Sequence, residues 1–420
     1  MMGVLVKKIL FVLRNRPSRL LRKDFFLRLW RIGQSVFVYQ TLPESSRQRL
    51  YFDLTLFSIF DNRTGVQRVI RSVYEELRPM LAAKYDVVPV CCTSITKGFF
   101  VLEVKQDKSK KTYKLTRFKI SPKEGDVFLS LEQAFIEHLA QQDTFKEMKK
   151  KGCRVILTVY DLLPIQLPHC FPIEVKNIFE NWLLTSSNFA EFLCDSRTVE
   201  KDLSHFLDSQ HRNLINSYWF YPGSNFLKQV SSSGITTHQT EYLKVLKKFQ
   251  FNFLMVGTIE PRKGHRIVFD LFNRLWLQDN ESVSLTFIGK EGWMVEDLLH
   301  SFVTSKFLNH RFFWFNDASD AFLERCYEET DAVIIASLNE GYGLPIIEAA
   351  QNNCRVIAND IPVFREVAPE NCYFLKLANP EVAFLQLQGW LKNPSKRCSI
   401  LKQQTWKDST TQIIERTKLL

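Results

Sequence analysis

Residues 331–349 constrain this chain more than any other stretch. Residues 331–337 form a short apolar run suited to a buried strand, and Asn339-Glu340-Gly341-Tyr342-Gly343-Leu344-Pro345 follows it as a glycine-rich turn. Ile346-Ile347-Glu348-Ala349-Ala350 then has the composition of a helix. Strand, glycine turn and helix start is the place where open α/β sheets bind ligands. Backbone N–H groups at a helix start attract anions, and two nearby glycines let a phosphate approach the main chain. Glu340 lies in the turn and Glu348 one or two turns into the helix, so one carboxylate can face a reacting group and the other a ribose. The spacing alone equally fits a plain helix entry with an acidic residue favoured by the dipole.

The same alternation runs through the rest of the chain. Strands are expected at 50–56, 86–90, 126–130, 154–159 and 189–194, with helices at 132–150, 172–187 and 196–207. A second series has strands at 251–256, 283–288, 311–315, 331–336, 355–358 and 372–375, and helices at 264–278, 319–330, 344–353 and 380–392. Strand then helix, repeated, predicts an α/β chain with parallel sheets covered by helices. The Lys-rich residues 97–120 alternate in polarity and read as a β-hairpin insertion. The expected organisation is a basic arm at 1–49, a first Rossmann-like domain at 50–222 and a linker at 223–249. A second Rossmann-like domain at 250–395 and a C-terminal helix at 396–420, able to cross back over the linker, complete it.

The chain has 420 residues, room for two full cores, and 35 of them are Phe. Its net charge of +11 is unevenly placed. Residues 1–50 hold eleven Lys and Arg against Asp24 and Glu44, so nearly all the excess lies in the arm. Within 18–36, Leu21, Phe25, Leu29, Ile32 and Val36 form one helical stripe among Arg19, Arg22, Lys23, Arg28 and Arg31. Such a segment suits an anionic membrane surface through residues 7–36, or packs on the body or on a partner. No nucleic-acid motif accompanies the charge, so nucleic acid is not an expected partner. No apolar run reaches the roughly 18 residues needed to span a bilayer, and no secretory leader is recognisable. The expected location is the cytoplasm, with the arm able to make the protein peripheral on the inner face of the plasma membrane. Nine scattered cysteines without a C-x-x-C pair read as reduced thiols, and neither they nor the eight histidines have metal-ligand spacing.

Three stretches carry a family resemblance. The first is Glu340-Gly341-Tyr342-Gly343-Leu344-Pro345-Ile346-Ile347-Glu348-Ala349, an E-x7-E pair. The second is Val256-Gly257-Thr258-Ile259-Glu260-Pro261-Arg262-Lys263-Gly264-His265, and the third Asn359-Asp360-Ile361-Pro362-Val363-Phe364-Arg365-Glu366-Val367. In this order and spacing they resemble the retaining glycosyltransferases of family 4, and they cover about the C-terminal 40% of the chain. Near the N-terminus, Asp61-Asn62-Arg63-Thr64-Gly65-Val66-Gln67-Arg68 is similar to that family's glycine loop, with Gly65 in the leading role and Gln67 and Arg68 as weaker candidates.

The resemblance implies a GT-B fold, two Rossmann-like domains facing across a cleft, and transfer of a hexose from a nucleotide-sugar donor with retention at the anomeric carbon. It implies that Lys263 and Arg262 face the donor diphosphate, that Glu348 accepts from ribose hydroxyls, and that Glu340 lies beside the donor sugar. Gly341 and Gly343 would open the backbone to the diphosphate, with Tyr342, Leu344, Gly65, Gly257 and Thr258 in the same binding set. Thr258 stands where many relatives carry an Arg. Asp161 either orients an acceptor hydroxyl or caps the following turn, and Tyr160 stands where relatives often have His. The chain has no D-x-D pair for a diphosphate-bound metal, so a metal-free reaction without cofactor is expected, the nucleotide sugar being a co-substrate. The motif wording looks most like bacterial mannosyl- or rhamnosyltransferase-type enzymes of surface polysaccharide or lipopolysaccharide assembly, with a glycan or lipid-linked glycan as acceptor. The rivals are a nucleotide-sugar epimerase on the same fold and a non-catalytic scaffold that binds glycan or membrane.

Overall fold

The computed structural model describes residues 39–59, 65–92, 97–107, 110–224, 234–278, 282–398 and 404–420. The basic segment 7–36, the loop residues Asp61-Asn62-Arg63-Thr64 and the serine run 231–233 lie outside the described residues.

The first sheet has nine strands. They are β1 (Gln40–Thr41), β2 (Gln48–Asp53), β3 (Tyr85–Cys91), β4 (Phe100–Asp107), β5 (Lys110–Lys119), β6 (Val127–Ser130), β7 (Arg154–Val159), β8 (Glu191–Cys194) and β9 (Ser217–Trp219). Their order is β1-β5-β4-β3-β2-β6-β7-β8-β9. All neighbours are parallel except β4, which runs against both β3 and β5, so residues 97–120 do contain the hairpin that their alternation predicts. The arm is shorter than residues 1–49, because β1 already pairs with β5 and β2 starts at Gln48. The connecting helices are α1 (Gly65–Leu81), α2 (Phe135–Ala140), α3 (Gln142–Lys150), α4 (Leu163–Gln166), α5 (Ile173–Ser186) and α6 (Arg197–Ser209). One helix was expected over 132–150, and the break between α2 and α3 falls at Gln141. Its buried side chain accepts the Gly98 N–H at 2.7 Å and so ties the hairpin to the helix junction.

The second sheet contains β10 (Phe251–Val256), β11 (Val283–Ile288), β12 (Phe312–Phe315), β13 (Ala332–Ile335), β14 (Arg355–Asn359) and β15 (Tyr373–Leu375). It is parallel throughout, in the order β12-β11-β10-β13-β14-β15. Its helices are α7 (Thr237–Leu246), α8 (His265–Leu277), α9 (Glu296–Val303), α10 (Asp320–Glu329), α11 (Leu344–Gln351), α12 (Pro362–Val367) and α13 (Pro380–Lys392), and α14 (Trp406–Arg416) closes the chain. Residues 237–246, expected within a linker, fold as α7 on the second sheet. Thr236 and Gln239 form a reciprocal cap, and Tyr242 and Leu246 are buried in that sheet's core.

Each sheet is covered on both faces because successive strand residues point opposite ways. In β2, Leu50 and Phe52 enter one core and Tyr51 the other; in β10, Phe253 and Met255 are separated from Leu254 in the same way. Where a helix was expected over 396–418, the observed one starts at Trp406, capped by Thr405 and Asp408. It returns to the first sheet. Trp406, Ile413, Ile414 and Leu419 are buried in the core that contains Leu50 and Phe52, and α14 packs on α1. Trp406 fits so closely over Gly223 that a Cβ there would come within 2.6 Å of the indole. Trp406→Ala should therefore cost roughly 3–5 kcal/mol, as for large aromatic truncations in a core. Urea denaturation followed by fluorescence checks this.

Candidate active site

The loops leaving the C-terminal ends of β10 and β13 lie side by side, because those strands are neighbours in the sheet and the chain order reverses between them. The Leu338 N–H donates to the Arg262 carbonyl at 2.8 Å and fastens one loop to the other. After β10 the chain makes a tight turn, Pro261–Lys263, which places two consecutive cations beside the second loop. The Glu340 carboxylate receives Lys263 Nζ on Oε1, and Arg262 Nη1 lies 3.4 Å from Oε2. Ser337 Oγ donates to Oε1 at 2.6 Å, and Asn339 Oδ1 accepts the Glu340 N–H at 2.8 Å. Arg262 also pairs through Nε with Glu260, 2.9 Å away.

Burial pushes the Glu340 carboxyl up, but the charges of Lys263 and Arg262 and the two side-chain hydrogen bonds outweigh it and leave the group at about 2. Burial also raises Glu260 and Asp161, against the pull of Arg262. Asp161 lies in the same charge cluster as Arg262, Lys263 and Glu340, and its Oδ1 accepts the Leu163 N–H at 3.1 Å. It therefore caps the turn into α4 while facing the cluster. The fold brings Glu340, the adjacent Arg262 and Lys263, and Asp161 together from three places in the chain.

Glu348, on α11, pairs across the cleft with Arg68 of α1 at 3.2 Å. Gly65, at the start of α1, faces Leu344 at the start of α11; a Cβ on Gly65 would lie 3.2 Å from the leucine Cδ1. α11 begins at Gly343, which has φ +96° and offers no side-chain cap to the first N–H groups. Beside Gly257 the space is open to at least 4 Å, and Thr258 is exposed and adds no charge.

Two of the expected binding residues also make contacts between the sheets. Gly341 lacks room for any side chain because a Cβ would fall 1.8 Å from the Tyr160 carbonyl oxygen. Its glycine is required by protein packing. Tyr342 stacks on Tyr221 with ring centroids 5.9 Å apart. Tyr160 turns inward, its hydroxyl donating to the Leu131 carbonyl at 2.8 Å, so only its backbone reaches the cleft. A second bridge flanks the cluster: Asn339 Nδ2 donates to Gln166 at 2.7 Å, and Trp293 Nε1 to the Cys170 carbonyl at 2.8 Å.

Reading the sequence missed Ser337, Glu260, Asp195, Ser196 and the role of Glu366. Ser337 and Glu260 act on Glu340 and Arg262 only three and two residues away, whereas Ser196 and Glu366 matter through residues far along the chain. Asp195 is buried, and its Oδ1 has no hydrogen-bond partner among the described residues. Burial, then the charge of Asp161, hold its carboxyl well above the usual range. Among the described residues no three His, Cys, Asp or Glu side chains are grouped to hold a metal ion, and no helix is long and apolar enough to cross a membrane.

Known structures with this fold include HepE of Anabaena, solved with UDP and glucose. It superposes with a TM-score of 0.54 at 13% identity, covering 88% of this chain and 95% of that one. Trehalose-6-phosphate synthase OtsA gives 0.56 at 8% identity, covering 89% and 95%. The chain has the GT-B fold. Residues 240–407 match the family model of glycosyl transferases group 1. The serotype-specific mannosyltransferase WbdA of Escherichia coli is 27% identical over 97% of this chain and 51% of its own length. The O-antigen chain mannosyltransferase B of Escherichia coli is 26% identical over 64% of this chain and 71% of its own. The chain spans about half the length of the WbdA proteins it matches.

The Glu340 cluster makes a prediction about pH. Its folded carboxyl lies at about 2, below the ordinary 4.5. The stability it contributes is complete above about 4.5 and is lost as the pH falls through about 2. The stability difference between wild type and Glu340→Gln should be level above that interval and shrink within it. Denaturation at a series of acid pH values measures this.

Proposed function

We infer that this chain is a retaining glycosyltransferase of family 4 that moves a hexose, mannose or a close relative, from a nucleotide sugar to a growing glycan. The setting is bacterial surface polysaccharide or lipopolysaccharide assembly. One observation carries the reading: Glu340 is held ionised between Lys263 and Arg262 at the head of α11, with Glu348 on the same helix. The names of the Escherichia coli relatives support the sugar and the setting, and the UDP held by the HepE neighbour supports a nucleoside diphosphate.

In this reading the bond from the anomeric carbon to the diphosphate breaks, and the acceptor hydroxyl oxygen bonds to the same face of that carbon. The hydroxyl proton leaves on the departing diphosphate. Negative charge grows on the diphosphate as the bond breaks, and Lys263, Arg262 and the start of α11 are placed to stabilise it. We assign this neutralisation to the two side chains and not to a divalent ion. Glu348 accepts from the ribose hydroxyls, beside Arg68. Glu340 lies beside the donor sugar, Gly257 leaves room for the diphosphate, and Asp161 orients the acceptor hydroxyl. The reaction belongs to the cytoplasmic side, with the basic segment 7–36 resting on the anionic inner face of the plasma membrane.

Lys263→Ala and Glu348→Ala should each lower transfer by roughly two orders of magnitude, the usual cost of losing a preorganised charged contact, while the circular dichroism spectrum stays that of the wild type. A thermal-shift panel of GDP, UDP, ADP and dTDP, with and without EDTA, should show stabilisation by one nucleotide regardless of EDTA. No shift with any nucleotide would replace the enzyme by a glycan-binding scaffold. For the arm, the deletion that spares β1 removes residues 1–38. It should move the protein from the membrane fraction to the soluble one, and an unchanged distribution would exclude the arm as an anchor.

A further inference from the structure

We propose that Glu366 is a positioning residue of the donor site, acting across the cleft by holding the start of α6 on α12 and, with Ser196, the turn that contains Glu340. The inference rests on the transferase reading for its kinetic consequences and on geometry alone for the contact itself.

The first turn of a helix leaves its N–H groups without partners inside the helix. In α6 three of these groups are satisfied by two side chains. Glu366 Oε1 accepts the Arg197 N–H at 2.8 Å, and Oε2 accepts the Thr198 N–H at 2.8 Å together with the Thr198 hydroxyl. Ser196 Oγ accepts the Val199 N–H at 3.1 Å. Glu366 comes from the second sheet's α12, so a helix of one domain is capped by a carboxylate of the other, at the end where its dipole favours negative charge.

The same cap reaches the donor turn. Ser196 Oγ donates to the Gly341 carbonyl at 2.7 Å, and Gly341 is the residue next to Glu340. Tyr221, which lies near Glu366, stacks on Tyr342, the residue after Gly341. On its other side Gly341 presses on the Tyr160 carbonyl and on Asp195 Oδ2, 1.8 and 2.9 Å from where a Cβ would stand. The turn is thus gripped from the first domain at Ser196, Tyr160, Asp195 and Tyr221. Glu366 supplies the charged part of that grip. Without it the Arg197 and Thr198 amides turn to water at this partly exposed contact, and nothing charged then fastens α6 to α12.

Two variants test the grip by different routes. Glu366→Ala removes the carboxylate, and Gly341→Ala drives a methyl group into the Tyr160 carbonyl while leaving Glu366 intact. Each is measured by small-angle scattering and by transfer kinetics with varied nucleotide sugar, beside Glu366→Gln, which keeps the side chain's size and one acceptor oxygen. The expected result is a larger radius of gyration and a donor KM raised tenfold or more in both alanine variants. Glu366→Gln should fall between them and the wild type. A residue that merely supported the fold would lower the melting temperature without this graded rise in KM. Wild-type scattering and KM in Glu366→Ala would overturn the proposal, and so would opening in Gly341→Ala alone. If the wild-type chain transfers no sugar, the transferase reading fails and the scattering result still decides the contact.

Discussion

The ion pair between Glu340 and Lys263 joins the loops that end two neighbouring strands, and much of the cleft is arranged around it. Three charges of one site, Glu340, Lys263 and Arg262, are drawn largely out of solvent together, and each is offset by its neighbours. Their mutual compensation keeps Glu340 ionised against the burial that pushes its carboxyl up. Ser337, Asn339 and the Leu338 to Arg262 backbone contact then hold the carboxylate in one orientation.

That arrangement depends on contacts between the sheets as much as on either sheet. Asn339 reaches Gln166, Gly341 meets Tyr160 and Ser196, and Arg68 meets Glu348. Every one involves a residue of the E-x7-E stretch or the asparagine just before it. The stretch is therefore both a ligand-facing turn and the part of the second domain that the first domain holds. The return of α14 onto α1 ties the end of the chain to the first sheet, so that the chain passes between the domains twice.

Several features were legible in the sequence because they are local. Strand and helix periodicity located most elements, the alternation in 97–120 gave the hairpin, and the glycine turn after residues 331–337 gave a helix start with two carboxylates nearby. Other features were not. Residues 237–246 are polar on one side and looked like linker, and only the core around Tyr242 and Leu246 makes them a domain element. At the break, Gln141 accepts a hydrogen bond from Gly98, forty-three residues away, which no local pattern announces.

What the sequence determined by itself was the pattern of elements and the chemical types gathered in its motifs, since periodicity, turn residues and consecutive charges act between near neighbours. What only the tertiary structure decided was which of those side chains meet. Gly341 illustrates the difference: its motif says that the backbone needs a glycine, and the structure shows that the side a Cβ would take is occupied by the Tyr160 carbonyl. Glu366 illustrates it again, its carboxylate serving a helix 168 and 169 residues earlier in the chain. Contacts at such distances arise from strand order and from the seating of one sheet against the other. No run of adjacent residues encodes either.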